Sequence, residues 1–163
     1  MSKTSEIAIQ NKDNSISSIY CHWDSYIAGV GSILNKHYGS YELALSIIEQ
    51  NDCSSLGETI EESLFYNTWK DENTKSKKFD NEYHFMENFK DDIFADYIYL
   101  FKNDRWYVSK NKILLPEDNY FSCVGYKTKF KRLDIALMEL EEEKLNGKKN
   151  SLTGQVEEDV IWV

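Results

Sequence analysis

The chain is poor in proline and cysteine and contains no long apolar run. Pro116 is the only proline among 163 residues, which excludes a Pro-rich linker or recognition segment. The three cysteines, Cys21, Cys53 and Cys123, show no CxxC or CxxH spacing. We therefore predict neither a disulfide framework nor a zinc site, as is typical of the reducing cytosol. No segment reaches the roughly 18 apolar residues of a membrane span, and residues 1–15 lack the apolar core of a signal peptide. These absences predict a cytoplasmic protein that does not enter a membrane.

Known catalytic and cofactor motifs are also missing. Gly29 and Gly31 form a GVG that is followed by SIL instead of a third glycine. Its helical spacing favours close helix packing over a phosphate loop. No GxSxG segment supplies a nucleophile, and no HExxH segment supplies metal ligands. The sequence therefore predicts no metal ion and no cofactor, and it favours a role other than catalysis.

Acidic residues are concentrated in one part of the chain. The net charge is −9, and residues 41–72 hold eight acidic residues against Lys70 alone, a local net charge of −7. Such a chain should repel nucleic acid, whose binding needs clustered Lys and Arg, and should attract a basic protein surface instead. The alternative is that these charges only keep the protein soluble. The predicted partner-binding residues are Glu42, Glu49, Asp52, Glu58, Glu61, Glu62, Asp71 and Glu72.

Alternation of apolar and polar residues predicts two β-hairpins. In residues 5–23, Ile7 and Ile9 alternate with other residues before the turn-forming segment NKDNS, and the segment ISSIYCHW after it is rich in β-branched and aromatic residues. Residues 97–108 alternate around Asn103 and Asp104, a pair typical of tight turns. We expect the two hairpins to contribute to one antiparallel sheet.

Apolar residues three or four positions apart predict helices between and after the hairpins. Asp24 is placed to cap the N-terminus of the first helix and Gly39 its C-terminus. Ser40 is placed to cap the second helix, and Ser55 and Glu58 have the spacing of a capping box in the third. The predicted helices cover residues 24–39, 41–51, 54–65, 81–92 and 130–147.

The order of strands and helices along the chain predicts an α+β fold. The sheet of N-terminal and central hairpins is expected to pack against several helices. One of them is the C-terminal amphipathic helix, which Gly147 is placed to end. We predict a single domain over residues 1–150 and a polar, acidic tail over residues 151–163.

A cysteine, a histidine, a tryptophan and an aspartate stand together in the segment ISSIYCHWDSY, residues 16–26. In a strand, Tyr20 and His22 point to one face and Cys21 to the other, so Cys21 and His22 cannot form a thiolate–imidazole pair. His22 and Asp24 share a face if the strand continues, which would orient the imidazole. The alternative is that His22 is a half-buried polar residue and Asp24 a helix cap. The candidate ligand pocket comprises Tyr20, His22, Asp24, Tyr26 and His37.

The same segment belongs to a longer pattern. Residues 9–38 read I-x-x-x-x-x-S-I-x-x-I-Y-C-H-W-D-x-Y-x-x-x-V-G-x-x-L-x-x-H-Y. In this pattern the chain resembles a family of small acidic proteins encoded by bacteriophages and prophages, and residues 53–58 and 105–108 look similar as well. Family members often have glycine where Ser25 stands and proline where Ile27 stands. The resemblance implies a phage-encoded accessory protein and assigns no catalytic residue.

Three functions are compatible with these observations. The first is a phage accessory protein that binds and inhibits a host protein, such as a nucleic-acid-handling or antiviral defence component, through its acidic surface. The second is a small-ligand or nucleotide-binding protein, or an enzyme, with a pocket around Tyr20, His22 and Asp24. The third is a homo-oligomer that assembles through the apolar end of the tail, residues 159–163. Deleting residues 156–163 should then lower the mass in solution, and an unchanged mass would contradict that hypothesis.

Overall fold

The computed structural model describes residues 3–66, 75–89, 95–110 and 130–149. The predicted tail, residues 151–163, lies outside them. The strands are β1 Ser5–Gln10, β2 Ile16–Cys21, β3 Cys53–Ser55, β4 Leu64–Phe65, β5 Lys77–Phe79, β6 Tyr97–Lys102, β7 Arg105–Lys110 and β8 Lys131–Arg132. The helices are α1 Ser32–His37, α2 Tyr41–Ile48, α3 Glu82–Phe89 and α4 Leu133–Lys149, and a π-helical turn at Ile27–Gly31 precedes α1.

The described strands form one mixed sheet, in the order β4-β3-β2-β1-β6-β7-β8, with β5 paired to β2. Within each hairpin the two strands, β1 and β2 or β6 and β7, are antiparallel. The hairpins meet through β1 and β6, which are parallel, and the N–H groups of Asp96 and Tyr97 both donate to Thr4 O. A parallel pair needs a long connection, which the helices between the hairpins provide. The α+β prediction is confirmed, but the sheet is mixed and not antiparallel throughout.

Tight turns set the register of both hairpins. Asn103 and Asp104 have φ angles of 52° and 61°, and a type I′ turn requires positive values at both of its central positions. In the first hairpin Asn14 has a φ of 70°, and Asp13 Oδ1 accepts a hydrogen bond from Ser15 N at 3.0 Å. Asn and Asp adopt such backbone angles more readily than most residues. Both predicted hairpins are confirmed.

The larger core lies between one face of the sheet and the helices α1, α2 and α4. Two hydrogen bonds join the sheet to the segment that follows β2. Tyr99 donates its hydroxyl to Ser25 O at 2.7 Å, and Trp106 Nε1 donates to Tyr38 O at 2.8 Å. A buried Tyr or Trp needs such a partner for its polar atom. These bonds fix the course of the chain between β2 and α2.

The opposite face of the sheet carries a second, smaller core. Ala8 and Ile16 of the first hairpin, with Ile98 and Leu100 of the second, pack against Phe85 of α3. The central strands are therefore covered on both faces. Polar side chains on this second face are buried too, which a half-exposed strand would not show.

The later predicted helices are present with similar bounds. Ser40 caps α2, since its Oγ accepts a hydrogen bond from Leu43 N at 3.2 Å. α3 and α4 lie within or close to the predicted ranges. α4 continues through Gly147 to Lys149, so the prediction that Gly147 ends this helix was wrong.

The helix predicted from Asp24 begins later in the chain. Asp24 has a φ of 56°, and its carbonyl oxygen accepts a hydrogen bond from Val30 N at 2.9 Å. A Cβ at Gly29 would lie 2.3 Å from that oxygen, so the turn that brings Val30 N to Asp24 O requires glycine at position 29. The chain enters the helix through the π-helical turn, whose N-cap is Tyr26. Asp24 is therefore not the predicted helix cap.

Residues 54–65 are not helical, contrary to the prediction. β3 ends at Ser55, and the chain then forms a loop before β4 begins at Leu64. Ser55 pairs with Leu64 in the sheet, where it cannot act as a helix cap. Residues 57–63 are called the acidic loop below.

Candidate functional site

Hydrogen bonds hold the acidic loop in one shape. Gly57 N donates to Ser63 Oγ at 2.8 Å, and Ser63 Oγ donates to Thr59 O at 2.7 Å. Tyr38, which follows α1, donates its hydroxyl to Gly57 O at 2.9 Å. Glu62 N donates to Thr59 O at 3.2 Å. The conformation of the loop is thus set by contacts within the protein itself.

Gly57 lies against the backbone of Glu62. A Cβ at position 57 would be 2.7 Å from Glu62 O and 2.9 Å from Glu62 C. Backbone atoms cannot move aside as the end of a flexible side chain can, so a larger residue at position 57 would open the loop. This close approach keeps the two ends of the acidic loop together.

Three glutamates of the acidic loop expose their carboxylates beside Tyr38. Glu58, Glu61 and Glu62 are all exposed. Glu58 Oε1 lies 3.7 Å from His37 Nε2, and the Glu58 side chain is 64% exposed. Burial raises the pKa of Tyr38, and the negative charges of Glu61 and Glu62 raise it further. In the part of the chain that the structure describes, no Lys or Arg forms an ion pair with these glutamates.

Two further predicted surface residues are exposed. Glu42 lies in the first turn of α2, and Glu49 follows the last residue of that helix. Neither carboxylate forms an ion pair with a described residue. Asp71 and Glu72 lie outside the described residues. Five of the eight predicted residues are therefore exposed carboxylates, namely Glu42, Glu49, Glu58, Glu61 and Glu62.

Asp52 does not belong to this surface, contrary to the prediction. It is only 8% exposed, and its Oδ1 accepts a hydrogen bond from Tyr20 N at 2.8 Å. Burial raises the pKa of its carboxyl group. The buried N–H group of Tyr20 needs an acceptor, and the carboxylate provides one. Asp52 therefore joins the start of β3 to β2.

Tyr20 and His22 lie on one side of the chain, as alternation along β2 predicts. The Tyr20 hydroxyl is 2.8 Å from His22 Nδ1. Burial raises the pKa of Tyr20. Its hydroxyl can donate to this ring nitrogen or accept from it, depending on the tautomer of the imidazole. The ring of Trp23 meets the His22 ring edge-on, with centroids 4.7 Å apart. Trp23 is 46% exposed, so this aromatic group is accessible to a ligand.

The other residues of the predicted pocket lie elsewhere. His37 is on α1, which packs on the larger core, whereas Tyr20 points to the opposite face of the sheet. The backbone of Asp24 folds back towards Val30, and Tyr26 lies beside Gly29. Among the contacts of residues 3–66, none joins Asp24, Tyr26 or His37 to the Tyr20–His22 pair.

A buried carboxyl group, missed by the sequence analysis, lies on the second face of the sheet. Glu6 is 1% exposed; its Oε1 accepts a hydrogen bond from Lys77 Nζ at 3.2 Å, and its Oε2 has no hydrogen-bond partner among the described residues. Burial raises the pKa of Glu6 to about 7, although Lys77 opposes the shift. Ser18 lies close enough to favour the ionised form slightly, but its hydroxyl is not placed for a hydrogen bond. Nothing local in EIAIQ indicates that α3 and β5 cover this face.

No three His, Cys, Asp or Glu side chains of the described residues are close enough to share a metal ion. None of the described helices is long and apolar enough to cross a membrane. Comparison with protein-family models, curated proteins and solved structures finds no match to this chain.

Proposed function

We propose that this protein binds and inhibits a host protein through the acidic loop, as a phage-encoded accessory protein acting in the host cytoplasm. The observation that carries the proposal is the presentation of Glu58, Glu61 and Glu62 on a fixed loop without a Lys or Arg partner among the described residues. Glu42 and Glu49 extend the exposed negative charge to α2.

The acidic loop suits binding because its shape is already set. Ordering a loop on association costs about 1 kcal/mol or more per residue, and the hydrogen bonds of Gly57 and Ser63 reduce that cost. Three exposed carboxylates on one short loop also attract a Lys- or Arg-rich surface together, which favours a basic partner.

A basic protein groove is the partner that this charge favours. With a net charge of −9 and exposed glutamates, the protein repels phosphate groups, so direct binding to nucleic acid is disfavoured. A groove that binds nucleic acid is lined with Lys and Arg at phosphate spacing. Carboxylates on a fixed loop can occupy such a groove in place of phosphates, which points to a nucleic-acid-handling or antiviral defence protein.

Capture from host lysate with two charge-reversed variants tests this proposal. We expect the immobilised wild-type protein to retain a basic host protein, and the variant with Glu58, Glu61 and Glu62 changed to Lys to lose it. The matched control changes Asp80, Glu141 and Glu142 to Lys, three exposed residues outside the loop, and shifts the net charge equally. The control should capture the partner as the wild type does. Equal capture by both variants, or by neither, would contradict a role for the acidic loop.

A second candidate function is small-ligand binding at Tyr20 and His22. The observation that favours it is their 2.8 Å contact beside the exposed ring of Trp23. If nucleotides bind there by stacking on the aromatic ring, a nucleotide panel should raise the Tm of the wild type. His22→Ala should lose this shift and keep the Tm of the free protein. A large drop in that Tm would assign His22 a structural role instead.

A further inference from the structure

Two buried cysteines face each other between adjacent strands. Cys21 is the last residue of β2 and Cys53 the first of β3, and their Cα atoms are direct partners in the parallel pairing of these strands. Both residues are completely buried in the larger core, and both are free thiols. Each thiol is close enough to the other to perturb its pKa. Their positions are far apart in sequence, so no local motif indicates the pair.

This geometry suits a disulfide bond. Neighbouring strands lie about 4.8 Å apart, and disulfide-bonded cysteines have Cα atoms about 4.4–6.8 Å apart. Both side chains point into the same core, so no backbone rearrangement is needed to bring the sulfur atoms together. We propose that Cys21 and Cys53 form a reversible disulfide bond when the protein meets a hydroperoxide or a low-molecular-weight disulfide.

The two thiols differ in pKa, which favours Cys21 as the first sulfur to react. The neighbouring Cys53 thiol lowers the pKa of Cys21, although burial opposes this, and the Ser25 hydroxyl lowers it further. The neighbouring Cys21 thiol and burial raise the pKa of Cys53, whose own thiol donates a hydrogen bond to Leu64 O at 3.5 Å. A lowered thiol pKa at one member of a pair is the usual condition for selective oxidation.

Hydrogen peroxide oxidises the pair of thiols in two steps. The Cys21 thiolate attacks one peroxide oxygen, the O–O bond breaks, and a sulfenic acid and a hydroxide ion form. Cys53 sulfur then attacks Cys21 sulfur and displaces the hydroxyl group as water, and the two thiol protons end in the two water molecules produced. Two thiols are oxidised to one disulfide while one peroxide is reduced. With a low-molecular-weight disulfide, two exchange steps release two small thiols.

The short strands beside the pair give an oxidant access. β3 has three residues and β4 two, and both lie at the end of the described sheet order. Short edge elements open locally at less cost than global unfolding. The bond would then tie β2, which leads to Trp23, to β3, which leads to the acidic loop. It would stabilise the base of that loop, and the inference stands independently of the proposed partner.

The test oxidises the full-length, folded protein with hydrogen peroxide or glutathione disulfide and maps its peptides. We expect a Cys21–Cys53 link, a loss of two hydrogen atoms in the intact mass, and a Tm about 5–10 °C higher, reversed by dithiothreitol. The increase follows from closing a loop of about 30 residues. Cys123→Ser should behave like the wild type.

The controls are Cys21→Ser and Cys53→Ser, neither of which should gain stability on oxidation. Peptide mapping of the wild type keeps the test valid even if either variant folds poorly. Free thiols at both positions after oxidation of the folded protein would overturn the inference. So would a link that involves Cys123 instead, or one that forms only after denaturation.

Discussion

Replacing Glu6 with glutamine should stabilise the protein by about 3 kcal/mol at pH 8 and change its stability little at pH 4. Burial raises the pKa of this carboxyl group from 4.5 to about 7, a difference of about 2.5 units. Each unit corresponds to about 1.4 kcal/mol, so ionising Glu6 in the folded state costs about 3 kcal/mol. Glutamine keeps the shape of the side chain and removes the buried charge.

The sign of the pH dependence follows from the direction of this shift. Below pH 4.5 the carboxyl group is protonated in both the folded and the unfolded chain, and its effect on stability is constant. Between pH 4.5 and about 7 the unfolded chain releases the proton while folded Glu6 keeps it, so stability falls as the pH rises. Above about pH 7 both states are ionised and the loss is complete.

Urea unfolding at pH 4 and pH 8 measures this effect. The matched control is Glu82→Gln, which removes an ion pair of 2.7 Å with Lys102 whose two side chains are 36% and 31% exposed. Surface ion pairs contribute about 0–1 kcal/mol, so this control should change stability little at either pH. Equal pH dependence of the wild type and Glu6→Gln would show that Glu6 is not buried as described.

Gly57→Ala should weaken partner binding at least about tenfold without changing any charge. The added Cβ would lie 2.7 Å from Glu62 O, so the acidic loop must open. We expect a loss of about 2 kcal/mol or more in the free energy of unfolding, because strained or displaced backbone contacts of this kind are costly. The carboxylates of the loop would remain, but their spacing would be lost.

Gly147→Ala is the control for this substitution. Position 147 lies in α4, and apart from its chain neighbours and the nearby backbone of that helix, no atom of the described residues lies within 4 Å of a Cβ placed there. Alanine in a helix is about 1 kcal/mol more favourable than glycine, so this variant should be slightly more stable and bind the partner normally. Normal binding by a folded Gly57→Ala protein would show that the shape of the loop is unimportant.

Local sequence patterns correctly predicted the elements that are set by interactions between residues close together in the chain. The turn residues Asn103 and Asp104 indicated the second hairpin, and Ser40 indicated the start of α2, because each acts on neighbouring backbone groups. Alternation along β2 also placed Tyr20 and His22 on one side of the chain. These features depend on few distant contacts.

The remaining features depend on distant parts of the chain. Residues 54–65 have helical spacing, but Tyr38 and Ser63 hold this segment as a loop, and Leu64 is 65% exposed. The sequence predicts Asp52 to be a surface charge, but its carboxylate accepts a hydrogen bond from the backbone of β2. Glu6 occupies a polar position of an alternating strand, yet it is buried and its carboxylate pairs with Lys77 of the distant strand β5. Tertiary contacts decide each of these cases.

If the acidic loop binds the partner by its charge, the affinity for the partner must depend strongly on salt concentration. Exposed charges are screened over about 10 Å at 0.1 M salt and about 3 Å at 1 M, so affinity that depends on Glu58, Glu61 and Glu62 should fall steeply as salt increases. The measurement is the Kd of the captured partner between 0.05 M and about 0.5 M salt, for the wild type and the two charge-reversed variants. We predict a steep dependence for the wild type and for the Asp80, Glu141 and Glu142 control, and a much flatter one for the loop variant. The same slope for all three proteins would show that the acidic loop does not bind the partner.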